Sequence, residues 1–308
     1  MNRLNLISIC SLLRAVALLA MSTLAQAETG NDQTSTARIS ERNSNDPGWT
    51  LQLPADEKVV FKGVLDFDAS GPSGASMLYP APNAGGFLIG LITHAIIVES
   101  MKGKRKTAAQ EAADKVLVPY QDVVQAYTYR ELMQRVLDKR VFAGPVKLVA
   151  HSENNETPWL IQSVPIFSLT QDETALVLDN VISISRPGLP VYLNTIKVVS
   201  AAAADANPVQ YWTANQGEQL KTETAAMVAD SLQIALRSVA GSLDTANTTY
   251  KTMRYFEGRT EKMERALLLS EYCNRVLIKT LRGWLMSIPV SRSEPNPALC
   301  SGASATLH

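Results

Sequence analysis

The chain has 308 residues, 29 basic and 29 acidic side chains, a formal net charge of zero and 46% hydrophobic residues. That balance excludes the broad basic footprint of a nucleic-acid-binding protein. The apolar content is that of an ordinary globular chain long enough to bury a large core.

The first residues have the layout of an export signal. Arg3 and Arg14 supply positive charge, residues 15–24 ("AVALLAMSTL") form a short apolar run, and "AQA" at 25–27 offers the small residues that a signal peptidase needs. About ten apolar residues are too few to span a bilayer, which takes roughly twenty. Cleavage near Ala27 and a periplasmic destination are expected; an uncleaved anchor is the alternative. Without Arg3 and Arg14 the chain keeps 27 basic residues against 29 acidic ones, a net charge of −2. Cleavage also removes Cys10 and leaves Cys273 and Cys300. An even pair in an oxidising compartment predicts one disulfide, with two free thiols as the alternative.

Residues 28–48 are polar and lack apolar rhythm, as in a disordered leader. A single mixed α+β domain is expected over 49–290, with a flanking C-terminal element possible from 249 and an irregular tail over 291–308. Residues 58–68 ("KVVFKGVLDFD") suit a strand, followed by the glycine-rich turn "ASGPSGAS" and a short extended "MLYP".

"LDFDASG" at 65–71 is the most chemical-looking stretch. Asp66, Asp68, Ser70 and Gly71 fit the first ligand positions of a calcium loop, but Met77 stands where the closing Glu belongs. The same residues are similar to the D-x-D-x-[TS] strand of haloacid-dehalogenase phosphatases. That resemblance implies Asp66 as nucleophile and Asp68 as general acid/base of an exported metal-dependent phosphohydrolase. It covers about seven residues, and no later acidic pair for magnesium follows. The structural alternative is a strand end whose carboxylates cap a glycine turn.

Residues 84–98 form an oily run interrupted by Thr93 and His94, short for a membrane span. Lys102, Lys104, Arg105 and Lys106 follow it and would mark a cytoplasmic side, in conflict with export. A surface helix whose cations rest on anionic headgroups is one reading. The favoured one is a buried helix with a basic C-terminal end. Its ridge Gly86, Gly90, His94 would admit another backbone closely, for a protein partner or for self-association.

Residues 107–117 read as helix, interrupted by Pro119 and continued over 120–139. There Tyr129, Leu132, Met133, Val136 and Leu137 define one apolar face. Four strand-like runs follow over 145–201, and the short links "TQDE" and "RPGLP" predict an antiparallel meander. Asn215 and Glu218 suggest a capping pair opening a helix with Ala225, Val228, Leu232, Ala235, Leu236, Val239 and Leu243 on one stripe. "NPVQYW" at 207–212 and Trp284 could offer aromatic surface to a glycan or peptide, although aromatics at such places are commonly core.

Residues 250–256 suit a strand. Residues 261–282 place Met263, Ala266, Leu267, Cys273, Leu277 and Leu281 at helical spacing, while "RVLIKTLRGWLMSIPV" also suits extended chain, so helix and hairpin both stand open. The expected fold is therefore an antiparallel sheet from the middle of the chain, packed against several amphipathic helices.

No H-E-x-x-H, C-x-x-C, G-x-S-x-G, S-x-x-K or P-loop pattern occurs in the chain, and no cofactor is expected. Together with the export signal, this points to a non-enzymatic envelope protein acting in assembly, scaffolding or partner binding.

Overall fold

The computed structural model describes residues 48–65, 103–152, 159–243, 249–272 and 275–289. All of them belong to the second of two units of the chain, Thr36–His308.

Ten strands form one sheet: β1 (Trp49–Gln52), β2 (Val60–Gly63), β3 (Val146–Val149), β4 (Trp159–Leu169), β5 (Leu176–Ser185), β6 (Tyr192–Val199), β7 (Lys251–Glu257), β8 (Thr260–Tyr272), β9 (Arg275–Thr280) and β10 (Leu285–Pro289). Their order is β3-β1-β4-β5-β6-β10-β9-β8-β7, with β2 also on β4. The fold is mixed, and its large sheet is mostly antiparallel.

The predicted meander is present as β4-β5-β6, in register through Phe167↔Leu178 and Leu178↔Val198. Four pairings are parallel: β1 with β3, β1 with β4, β2 with β4, and β10 with β6. Local sequence pattern carries no information about such distant partners.

Helix is the minor component among the described residues. It comprises α1 (Gly103–Ala113), a 3-10 turn (Asp114–Tyr120), α2 (Gln121–Ala126), α3 (Tyr129–Asp138) and α4 (Pro208–Val239). The expectation of several amphipathic helices against the sheet is corrected here. The apolar cover comes from α3 and the long second part of α4, while α2 buries no residue at all. Pro119 is accommodated by the 3-10 turn, and the helical run breaks again at Tyr127 and Thr128, where Thr128 bridges Lys58 and caps α3 through Glu131 N at 3.2 Å.

Tyr129, Leu132, Met133 and Val136 of α3 and Ala225, Val228, Leu232 and Ala235 of α4 pack on one face of β4, β5 and β6. Each large aliphatic side chain buried there contributes about 1.5–3 kcal/mol. The helix that carries Ala225 to Val239 begins beyond a kink, and Asn215 lies within that kink in the left-handed region. Asn207 caps the first part of α4, its side chain accepting from Gln210 N, and the kink (Ala214–Gly217), left-handed at Asn215, Gln216 and Gly217, separates this part from the long second one. Gly217 belongs there because its φ is +77° and a Cβ would overlap Val123 Cγ1.

Residues 261–282 are a hairpin rather than a helix, formed by β8 and β9. A helical stripe would bury Met263 and Leu281, yet they are 64% and 60% exposed. The hairpin of β7 and β8, turning at Gly258 and Arg259, folds back across the second face of the sheet. Tyr255 of β7 therefore shares a core with Val177 of β5 and Val199 of β6, strands remote from it in the sheet order. Strand β5 is covered on both faces, which is why it reads as an almost continuous apolar run.

Candidate functional site

The turn between β4 and β5 ties the molecule together. Gln171 Nε2 donates to Val64 O at 2.9 Å and to Ala113 O at 3.3 Å. Glu173 accepts from Tyr120 Oη at 2.7 Å through its carboxylate and from Trp212 Nε1 at 2.8 Å through its backbone. Trp212 is thus a buried anchor, while Tyr211 beside it is half-buried; burial, with Glu173 beside it, pushes the Tyr120 hydroxyl pKa up.

Asp172 holds the tip of the β7–β8 hairpin. Its carboxylate accepts from Thr170 Oγ1 (2.6 Å), Thr174 N (3.1 Å), Thr174 Oγ1 (2.9 Å) and Arg259 N (2.6 Å). Burial alone would raise its pKa, but these donors outweigh burial and hold it below the ordinary carboxylate value. Gly258 has φ +62°, and a Cβ there would stand 2.5 Å from Asp172 Oδ1, so the turn needs glycine on two counts.

Beneath the hairpin lies an ionisable cluster. Lys197 Nζ stands 3.7 Å from Asp179 Oδ1, and Tyr255 Oη donates to Glu257 Oε1 at 3.2 Å. The Asp179 charge raises the Lys197 pKa against the cost of burial, with Glu257 and Glu264 adding to it. Burial first, then Glu257, raises that of Tyr255. Both shifts favour the state already present at neutral pH, the charged Lys197 and the neutral Tyr255, and the contacts fasten the hairpin.

The outward face of the same hairpin is different. Arg254 faces Met263 across the pair, Thr252 faces Arg265, and Leu267 faces Lys279 on β9. Arg254, Met263, Arg265 and Lys279 are exposed, and α4 packs chiefly on β5 and β6. A prominent methionine among arginines has the composition of an interface centre.

A shallow hollow of about 330 Å³ lies elsewhere, between β1 and β2, lined by Pro54, Asp56, Glu57, Tyr129, Arg130 and His151 among others. Among the described residues no group of three or more His, Cys, Asp or Glu is placed to hold a metal ion.

The residues singled out from sequence fall largely elsewhere. Asp66, Asp68, Ser70, Gly86, Gly90, His94, Lys102, Cys273 and Cys300 lie outside the described residues, as do the leader and the tail. Lys104, Arg105 and Lys106 lie in the helical segment Gly103–Ala113, and the run 84–98 that they follow lies outside the described residues. Among the described residues no helix is long and apolar enough to cross a membrane.

The helical alternative for 261–282 places Met263 on a buried stripe, whereas the hairpin puts it on the exposed face of β7–β9. Its signal was "EGRT": a two-residue Gly-Arg loop between runs of alternating character is a hairpin mark. Set against protein-family models, curated proteins and solved structures, the chain finds no match.

Proposed function

We propose that the chain is an exported protein of the cell envelope that acts without catalysis, by binding a protein partner in assembly or scaffolding. The exposed face of β7–β9 carries this reading. Met263 lies on an exposed strand face opposite Arg254 and two residues from Arg265, and interfaces are enriched in methionine and arginine. The N-terminal basic, apolar and small-residue layout supports export.

Photocrosslinking in intact cells tests it. A photoreactive residue at position 263 is expected to give a discrete adduct in the periplasmic fraction, on a chain cleaved near Ala27. The same residue at the exposed Lys139 is expected to give none. Retention in the cytoplasm, or equal labelling from both positions, would remove the reading.

A further inference from the structure

Residues 251–284 carry eight basic and four acidic side chains, an excess of four within a chain of zero net charge. Folding sharpens this asymmetry. Lys251, Arg254, Arg259, Arg265, Lys279 and Arg282 are exposed, with Arg254, Arg265 and Lys279 on the face of Met263 and Lys251 on the opposite face with Ala266. Of the carboxylates, Glu257 is buried and Glu264 turns inward with Ala266, because side chains alternate across a strand. Only Glu261 and Glu271 remain exposed, and Glu261 is paired with Arg254 at 3.3 Å. No described carboxylate forms an ion pair with Arg265 or Lys279.

Building on the reading of this face as partner-binding, we infer that its occupant is an acidic segment of a protein partner, with carboxylates flanking an apolar side chain. Met263 provides an adaptable apolar contact between Arg254 and Arg265, and Leu267 extends it towards Lys279. An extended segment laid along β8 brings carboxylates to the arginines on either side while its apolar residue covers Met263. Guanidinium forks match carboxylates in a bidentate way, and two of the three exposed strand cations on the Met263 face, Arg254 and Arg265, are arginines. The field of this patch also steers an anionic partner towards it.

The test uses the mature chain and three probes: a labelled peptide with glutamates flanking leucines, the same peptide with glutamine for glutamate, and phosphatidylglycerol vesicles. Fluorescence anisotropy at low salt is expected to show binding of the glutamate peptide alone. The double variant R254E/R265E is expected to weaken it about tenfold or more, since charge reversal replaces attraction by repulsion. M263S is expected to weaken it severalfold, and K139E to leave it unchanged. Salt is expected to weaken wild-type binding. All substituted side chains are exposed, and an unchanged melting temperature establishes folding.

Equal binding of both peptides, or no effect of R254E/R265E, overturns the inference. Sedimentation with vesicles without peptide binding also overturns it and assigns the face to lipid. Should crosslinks from position 263 survive R254E/R265E, the partner-binding reading stands and the acidic occupant falls. Should position 263 give no crosslinks in wild type, the reading itself falls.

Discussion

The hydroxyl of Tyr129 donates to the carbonyl oxygen of Pro165 at 2.8 Å, in the gap between two collinear strands. Strands β1 and β2 lie along the same edge of β4, pairing with 159–162 and 166–169, and leave its centre without a strand partner on that side. Proline fits there because its missing N–H would have pointed into the gap, while its carbonyl receives the tyrosine. The same hydroxyl lies 3.4 Å from Val60 N, so one side chain completes the edge where backbone cannot.

Tyr129→Phe is therefore expected to cost about 1–3 kcal/mol, because it leaves a buried carbonyl without a donor. Urea denaturation measures this. A loss within experimental error of zero would show that the gap is filled in another way.

Much of this arrangement was legible in the sequence, and the reasons differ by element. The β4-β5-β6 meander and the α3 face were readable because strong alternation and 3.6-residue periodicity are local signals. The β8–β9 hairpin was ambiguous because Met263, Ala266 and Leu267 satisfy helical spacing by coincidence in a bent thirteen-residue strand. Parallel pairing of β1, β2 and β10 depends on contacts distant in sequence. The helical alternative also hides the exposed face of β7–β9, because it assigns Met263 to the core.

Asp172 links two turns and makes the hairpin sensitive to acid. Its pKa is depressed in the folded chain, so its stabilisation is fully present above the unfolded value of 3.8 and is lost as pH falls through the folded value. Hydrogen exchange at the β7–β8 tip is expected to speed up on acidification below that range, ahead of exchange in β5. Asp172→Ala is expected to produce the same local opening at neutral pH and to cost about 1–3 kcal/mol. Uniform exchange across both regions would contradict the link.

The kink in α4 is set by three consecutive left-handed residues, Asn215, Gln216 and Gly217. Gly217→Ala adds both a disfavoured φ and an overlap with Val123, and the backbone part alone costs about 1–2 kcal/mol. Thermal denaturation is expected to show a lowered midpoint; an unchanged or raised midpoint would mean that the kink relaxes freely.

Asn180 is buried between strand and helix, accepting from Ser163 Oγ at 2.9 Å and donating to Ser231 Oγ at 2.8 Å. Asn180→Ala takes the acceptor from Ser163 Oγ, while Ser231 Oγ keeps its bond to Val228 O, and opens a void, with an expected loss of about 2–4 kcal/mol. Calorimetry of the variant checks this, and a loss below about 1 kcal/mol would show that Ser163 finds another partner.

The most direct measurement of the central claim is the yield of photocrosslinked adduct from position 263 in intact cells, with and without R254E/R265E. A discrete adduct that disappears on charge reversal, while the chain stays folded and exported, is the result predicted for an exposed cationic face that holds an acidic partner. Absence of any adduct from position 263 in the wild-type chain would contradict that account.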